Sequence, residues 1–275
     1  MNRKTAPVSR ARNFSCHSVT QASSLRGQRA SCLSIGVADV FCRQDVCEAP
    51  FDFLAALFHN RQMPRLPFIT FEGSEGSGKS TQADRLAAHL QRCEIPYILT
   101  REPGGTPIGE SIRDLLQFAP HNSNMTPETE LLLFEASRSQ LVREVIKPAL
   151  ERGMCVIADR FFDSTTIYQG AARKLDPEMI ERLNAFVVGD CVPDITFVLD
   201  VDAATAESRM QRERRKADRM EQQPAEFYER VREGYRDLAA HEPKRIVMID
   251  GSGDVDEIEK QIWEKLCSRF PINSR

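Results

Sequence analysis

The stretch Gly73-Ser74-Glu75-Gly76-Ser77-Gly78-Lys79-Ser80 constrains this chain more than any other. It fits the pattern G-x-x-x-x-G-K-[ST], directly after the apolar run 68–72 and directly before a helical pattern. A glycine-rich turn in that setting directs main-chain N–H groups onto an anion, and the following helix adds the positive end of its dipole. Lys79 would reach the β- and γ-phosphates of a bound nucleotide, and the Ser80 hydroxyl would hold Mg²⁺. The expected nucleotide-binding residues are therefore Gly73, Ser74, Glu75, Gly76, Ser77, Gly78, Lys79, Ser80 and the adjoining Thr81, with Lys79 also catalytic.

A loop of this kind belongs to a parallel sheet, and the rest of the chain agrees. Short apolar strands are expected at 68–72, 97–100, 155–159, 195–200 and 245–249, separated by amphipathic helices. Ala83, Leu86, Ala87 and Leu90 share one helix face, as do Ile108, Ile112 and Leu115, and Val255, Ile258, Ile262 and Leu266. No internal repeat is evident. The predicted fold is α/β, a P-loop NTPase three-layer sandwich with a five-stranded parallel sheet flanked by helices, filling residues 63–275.

The first 62 residues read differently. Up to Ala38 they hold no Asp or Glu, while arginines are spread among many serines and hydrophobic periodicity is weak. This extension is read as an overextended start before Met63, with an organellar transit segment or a disordered tail as alternatives. A net charge of -3 gives no basic excess for nucleic-acid binding. No apolar run approaches the roughly 20 residues that cross a bilayer. The expected location is cytoplasmic. Eight scattered cysteines without a CxxC pair read as reduced thiols.

A P-loop implies a nucleotide but no particular reaction. An NKxD guanine-reading motif is missing from the sequence, which argues against a Ras-like GTPase. The strand 155–159 ends in Asp159-Arg160, and strand C-terminal ends face the ligand crevice of an open parallel sheet. Asp159 there suits Mg²⁺ or its waters, and Arg160 suits phosphate.

Several further motifs occur in order: Phe71-Glu72-Gly73, Arg101-Glu102-Pro103-Gly104-Gly105-Thr106, Ile146-Lys147-Pro148-Ala149-Leu150, Asp159-Arg160 with Asp163-Ser164, Tyr168-Gln169-Gly170, and Asp218-Arg219-Met220-Glu221. Together they resemble the motif set of bacterial thymidylate kinases over roughly residues 66–267. The resemblance implies ATP-dependent phosphorylation of dTMP to dTDP with Mg²⁺, in dTTP synthesis, by a homodimer. Another P-loop kinase of deoxynucleosides or nucleoside monophosphates is the alternative. It also implies residue roles. Arg113 and Arg160 would bind the dTMP phosphate, which two guanidinium forks suit. Phe134 would stack on thymine and Arg138, at i+4 on the same helix face, would bond the base; core packing is the competing reading of Phe134. Ser164, Thr165 and Tyr168 fall in the segment contacting base and sugar. Thr165 could exchange roles with its hydroxyl neighbours, and Ser164 could instead cap a helix. The helical stretches 131–134 and 141–146 are candidate dimer elements.

The run from Arg209 to Arg219 is arginine-rich, and a charge run is ordinarily a solvated face. In nucleotide kinases this position forms a mobile lid, expected here at about 209–223. The P-loop carries Glu75 and no arginine among its variable positions, which suits the family variant whose lid supplies the catalytic arginine. Arg214 and Arg212 are the candidates, with Arg214 preferred, and Arg209 is expected against adenine.

Overall fold

The computed structural model describes residues 65–120, 122–212, 219–220 and 223–272. The expectations for the first 62 residues and for Arg214 lie outside them. Five strands, β1 (Phe68–Glu72), β2 (Tyr97–Arg101), β3 (Cys155–Asp159), β4 (Ile195–Asp200) and β5 (Ile246–Asp250), form one sheet in the order β2-β3-β1-β4-β5. All four pairings are parallel. The expected strands are recovered with end shifts of one residue at β2 and β5. Parallel sheets are covered on both faces, which is why β1, β3 and β4 are almost continuously buried.

Alternation along the strands sends residues to two cores. Ile69, Phe71, Ile157 and Phe197 pack under α1 (Lys79–Arg92) and the C-terminal helix, with Leu86, Leu90, Ile258, Ile262 and Leu266. These are the predicted faces of both helices, apart from Val255 at the exposed start of the last one. Phe68, Val156 and Ala158 face the other side, against Leu141, Val142, Ile146 and Phe161.

The second core lies under a long helical run. After α2 (Pro107–Gln117) comes α3 (Pro127–Leu141), which continues through a π-helical turn (Val142–Ile146) into α4 (Lys147–Glu151). Then follow α5 (Phe162–Thr165), continuing as a π-helical stretch (Thr166–Ala172), and α6 (Pro177–Val188). The remaining helices are α7 (Ala203–Arg212), α8 (Ala225–His241) and α9 (Val255–Arg269). Helix starts follow the local chemistry. Thr106, Thr126 and Asp176 each accept a main-chain N–H with a proline next in sequence, where a missing donor costs nothing.

Two of the apolar faces lie differently from those of α1 and α9. The period of α2 is helical, yet Ile108 and Leu115 are 54% and 44% exposed, and Leu116 is the buried residue. The 141–146 segment is core, since Leu141, Val142 and Ile146 are fully enclosed between β1, β3 and Phe161. Its exposed side chains are the charged Arg143 and Glu144. A charged pair also lies largely inside. Asp163 meets Arg245 through Nη1 at 2.6 Å and Nη2 at 2.8 Å, and Thr196 joins it. A buried carboxylate persists where such partners satisfy it.

Candidate active site

The loop between β1 and α1 has the backbone that its glycines permit. Gly73 and Gly76 sit at φ 132° and 71°. A Cβ on either would fall 2.5 Å from a carbonyl oxygen, of Leu199 and Ala206 respectively. Side chains are therefore excluded twice, by conformation and by space. Lys79 folds back over the loop, donating to the Ser74 carbonyl at 2.6 Å and to Ser77 Oγ at 3.3 Å. Burial pushes its ammonium down to about 8, with Arg160 adding to the effect. An anion placed beside it would favour the charged form.

The loop opens onto a cavity of about 1120 Å³ at the C-terminal ends of β1, β2 and β3. This is where neighbours on the two sides of β1 diverge, the switch point of an open α/β sheet. Glu75, Gly76, Ser77, Gly78, Lys79, Ser80 and Thr81 line it, as do Arg113, Phe134, Asp159, Arg160, Ser164, Thr165, Tyr168 and Arg209. Gly73 and Ser74 lie at its edge, giving their carbonyls to Arg160 and Lys79.

Ser80 Oγ donates to Asp159 Oδ2 at 2.5 Å, so a hydroxyl and a carboxylate oxygen converge beside the loop. This donor set fits Mg²⁺, which takes one or two protein oxygens and fills its octahedron with waters and phosphate oxygens. No cluster of three or more His, Cys, Asp or Glu suited to a metal occurs among the described residues.

Arg160 is the centre of the cavity wall. Its φ of 71° turns the side chain back from the end of β3. Nη1 donates to Gly73 O at 3.0 Å and Ser164 Oγ at 3.1 Å, while Nη2 reaches Glu75 Oε1 at 2.9 Å and Tyr168 OH at 3.2 Å. Tyr168 OH donates in turn to Glu75 Oε2 at 2.8 Å. Burial raises the Tyr168 phenol well above its usual range, so it acts as a neutral hydroxyl. Arg113 donates to the Pro103 carbonyl at 2.9 Å from α2, across the cavity. Thr165 contributes a buried hydroxyl without a hydrogen-bond partner, and such a group is satisfied by a ligand or water.

Three of the expected residues make contacts of another kind in this structure. Arg138 does not line the cavity. Its guanidinium is 1% exposed and held by Glu102, at 2.8 Å from Nε, and by Glu135, with Asn184 and the Phe161 carbonyl completing the set. A buried guanidinium requires carboxylates around it, and these claim the face that was expected to meet a base. Arg212 is exposed at the last residue of α7 and also lies off the cavity. Arg209 does line it, but its hydrogen bonds go to main-chain carbonyls: Gly76 at 3.4 Å, Ser77 at 3.3 Å and Gly251 at 2.8 Å.

Other participants were not singled out from sequence. Glu72, fully buried, accepts from Phe161 N at 2.7 Å, Ser164 Oγ at 2.6 Å and Tyr235 OH at 2.7 Å, fixing the segment that carries Arg160 and Ser164. Burial pushes the Glu102 carboxyl up to about 7, against the pull of Arg138. Gln169 lines the cavity next to Thr165. The motifs Phe71-Glu72-Gly73 and Tyr168-Gln169-Gly170 marked these places, but spacing alone carried no sign of their partners.

A phosphate loop closed by its own lysine, at the switch point of a five-stranded parallel sheet, defines a P-loop nucleotide-binding α/β protein. A second wall with two arginines and an aromatic ring fits the subclass that binds a further ligand beside the nucleotide. Comparison narrows this. The thymidylate kinase family model matches residues 71–262. The thymidylate kinase of Kosmotoga olearia is 48% identical over 203 residues, covering 73% of this chain and 96% of that protein. That of Geobacter sulfurreducens is 46% identical over 209 residues, 74% of this chain and 98% of its own. The crystal structure of thymidylate kinase from Ehrlichia chaffeensis superposes with a TM-score of 0.61 at 38% identity, over 74% of this chain and 99% of that one. The chain belongs to the thymidylate kinase family.

Proposed function

We propose that the protein transfers the γ-phosphoryl group of ATP to the 5′-phosphate of dTMP, yielding dTDP and ADP for dTTP synthesis. The observation that carries this reading is that one cavity is lined by Lys79, Arg160, Arg113 and Phe134 together. Ser80 and Asp159 would hold Mg²⁺, which would supply charge withdrawal from the donor phosphates. Lys79 follows the β- and γ-phosphates, and Arg113 and Arg160 hold the acceptor phosphate. An acceptor phosphate oxygen, already anionic at neutral pH, attacks phosphorus in line as the bond to the β,γ-bridging oxygen breaks. No strong general base is required. The protein's contribution is positioning and charge stabilisation. Phe134, half-buried on α3, offers its ring to the pyrimidine. The arginine that completes the transfer belongs to the lid, with Arg214 preferred. No helix among the described residues is long and apolar enough to cross a membrane.

A coupled assay across dTMP, dUMP, dCMP, AMP and thymidine tests the reading. dTMP is expected to give the highest kcat/KM, with turnover lost on chelation and restored by added Mg²⁺. Preference for another acceptor would overturn the assignment of dTMP.

We also propose that two copies of the chain associate. The neighbouring helices α2, α3 and α6 carry Ile108, Leu132, Met179 and Phe186 exposed, the last by 75%, and Phe118 at the end of α2 is exposed as well. Scattered apolar residues are ordinary, but this many large ones on adjacent helices suit a covered face. Sedimentation is expected to give a dimer, and Leu132→Glu with Phe186→Glu is expected to shift it toward monomer. A monomeric wild-type protein would rule this out.

A further inference from the structure

The helices α1 and α9 lie side by side, and their contacts keep one register. Gln82 Nε2 donates to the Val255 carbonyl at 3.0 Å. One turn on, Arg85 bonds Glu259, 174 residues later, and pairs with Asp256 at 2.6 Å. Another turn on, the His89 ring stacks on Trp263 at the same offset, with centroids 3.7 Å apart. Leu86, Leu90, Ile258, Ile262 and Leu266 fill the seam beneath. The helices therefore run parallel, and each turn of one meets the matching turn of the other.

The next turn brings two thiols to this seam. Cys93 follows His89 by one turn and donates its N–H to the His89 carbonyl at 3.1 Å, so it continues the helical path at the end of α1. Cys267 follows Trp263 by one turn within α9, and its offset from Cys93 is once more 174. Both are free thiols, Cys93 half-buried and Cys267 exposed. Burial pushes the Cys267 thiol up, and charge on Cys93 adds to the shift, as a near neighbour does. Facing Cα atoms of helices packed about 8–10 Å apart come within the ~4.4–6.8 Å that a disulfide spans. The other two cysteines described, Cys155 and Cys191, are buried in separate cores on the two sides of the sheet.

We propose that Cys93 and Cys267 form a dithiol site that a small-molecule disulfide oxidises, closing a stabilising covalent clasp between α1 and α9. Cys267, the exposed partner, reacts first. Its thiolate bonds to one sulfur of the small disulfide, whose S–S bond breaks and releases one thiolate. The Cys93 thiolate then attacks the Cys267 sulfur and displaces the second small thiolate. Each cysteine gives its proton to solvent on ionising, and each departing thiolate takes one up. The protein is oxidised by loss of both sulfur-bound hydrogens, and the small disulfide is reduced to two thiols. The clasp ties the end of α1 farthest from Lys79, about 20 Å along the helix, so it acts on the packing of the two helices and leaves the phosphate loop untouched.

Oxidised glutathione, added to the full chain at low protein concentration, is the probe. Peptide mapping by mass spectrometry is expected to recover the Cys93 and Cys267 peptides joined, lighter by both thiol hydrogens, and parted again by dithiothreitol. The melting temperature is expected to rise by about 5–10 °C, the scale for a cross-link that closes a long loop. Cys93→Ser and Cys267→Ser should each abolish that rise, while their reduced forms melt close to reduced wild type. Either variant decides the matter if the other does not fold. Glutathione carried separately on each cysteine with no joined peptide, a joined pair with no rise, or an equal rise in a Ser variant would overturn the proposal.

Discussion

Lys79→Ala is expected to lower kcat by about a thousandfold, the scale of losing a charge-stabilising donor in a dry site. The ammonium already lies within the loop, anchored on the Ser74 carbonyl at 2.6 Å, so it needs little rearrangement to follow the phosphates. Among the described residues no other lysine lines the cavity to replace it. Binding of dTMP should stay within about threefold of wild type, because the acceptor arginines stand on other elements, α2 and the end of β3. Stopped-time assays with saturating substrates and calorimetric titration of dTMP separate the two effects. Near-normal turnover in the variant would show that the loop lysine is not part of the transfer.

Arg160→Lys is expected to be nearly as damaging to kcat/KM for dTMP as Arg160→Met, each losing about a hundredfold or more. The guanidinium divides its two terminal nitrogens among Gly73 O, Ser164, Glu75 and Tyr168. A single ammonium cannot span a carbonyl on one side and a carboxylate–phenol pair on the other while also gripping phosphate. Removing the fork leaves Glu75 with Tyr168 as its remaining polar partner among these contacts, at the rim of the phosphate loop. The loss should therefore appear in both KM for dTMP and kcat. Recovery of wild-type kcat/KM in the lysine variant would show that a point charge suffices, and the geometric argument would fail.

Much of the framework was legible because it is local. The P-loop pattern, the strand before it and the apolar faces of α1 and α9 each depend on residues within one or two turns of each other. The acceptor wall was legible in part. Arg160 and Tyr168 sit on a short continuous segment, and both face the cavity. Arg138 was misplaced for a physical reason: its spacing from Phe134 fixes a helix face, but the carboxylate of Glu102 that claims its guanidinium stands 36 residues earlier. The same limit hid Glu72, whose meaning comes from partners on distant elements. The exposed face of α2 shows a further ambiguity, since an apolar stripe looks alike whether it meets a core or another copy of the chain.

Arg209 has a further consequence. Every hydrogen bond it makes is to the peptide backbone, two of them to carbonyls of the phosphate loop. Those carbonyls are held from outside the loop, while the Ser77 N–H is held within it by the Ser74 carbonyl at 3.3 Å. The loop backbone is thus fixed before an anion arrives, and little ordering remains to be done on binding. Since carbonyls are supplied by any residue, the grip itself needs no particular side chain at Ser77, while Gly76 is kept a glycine by the Ala206 carbonyl packed against it.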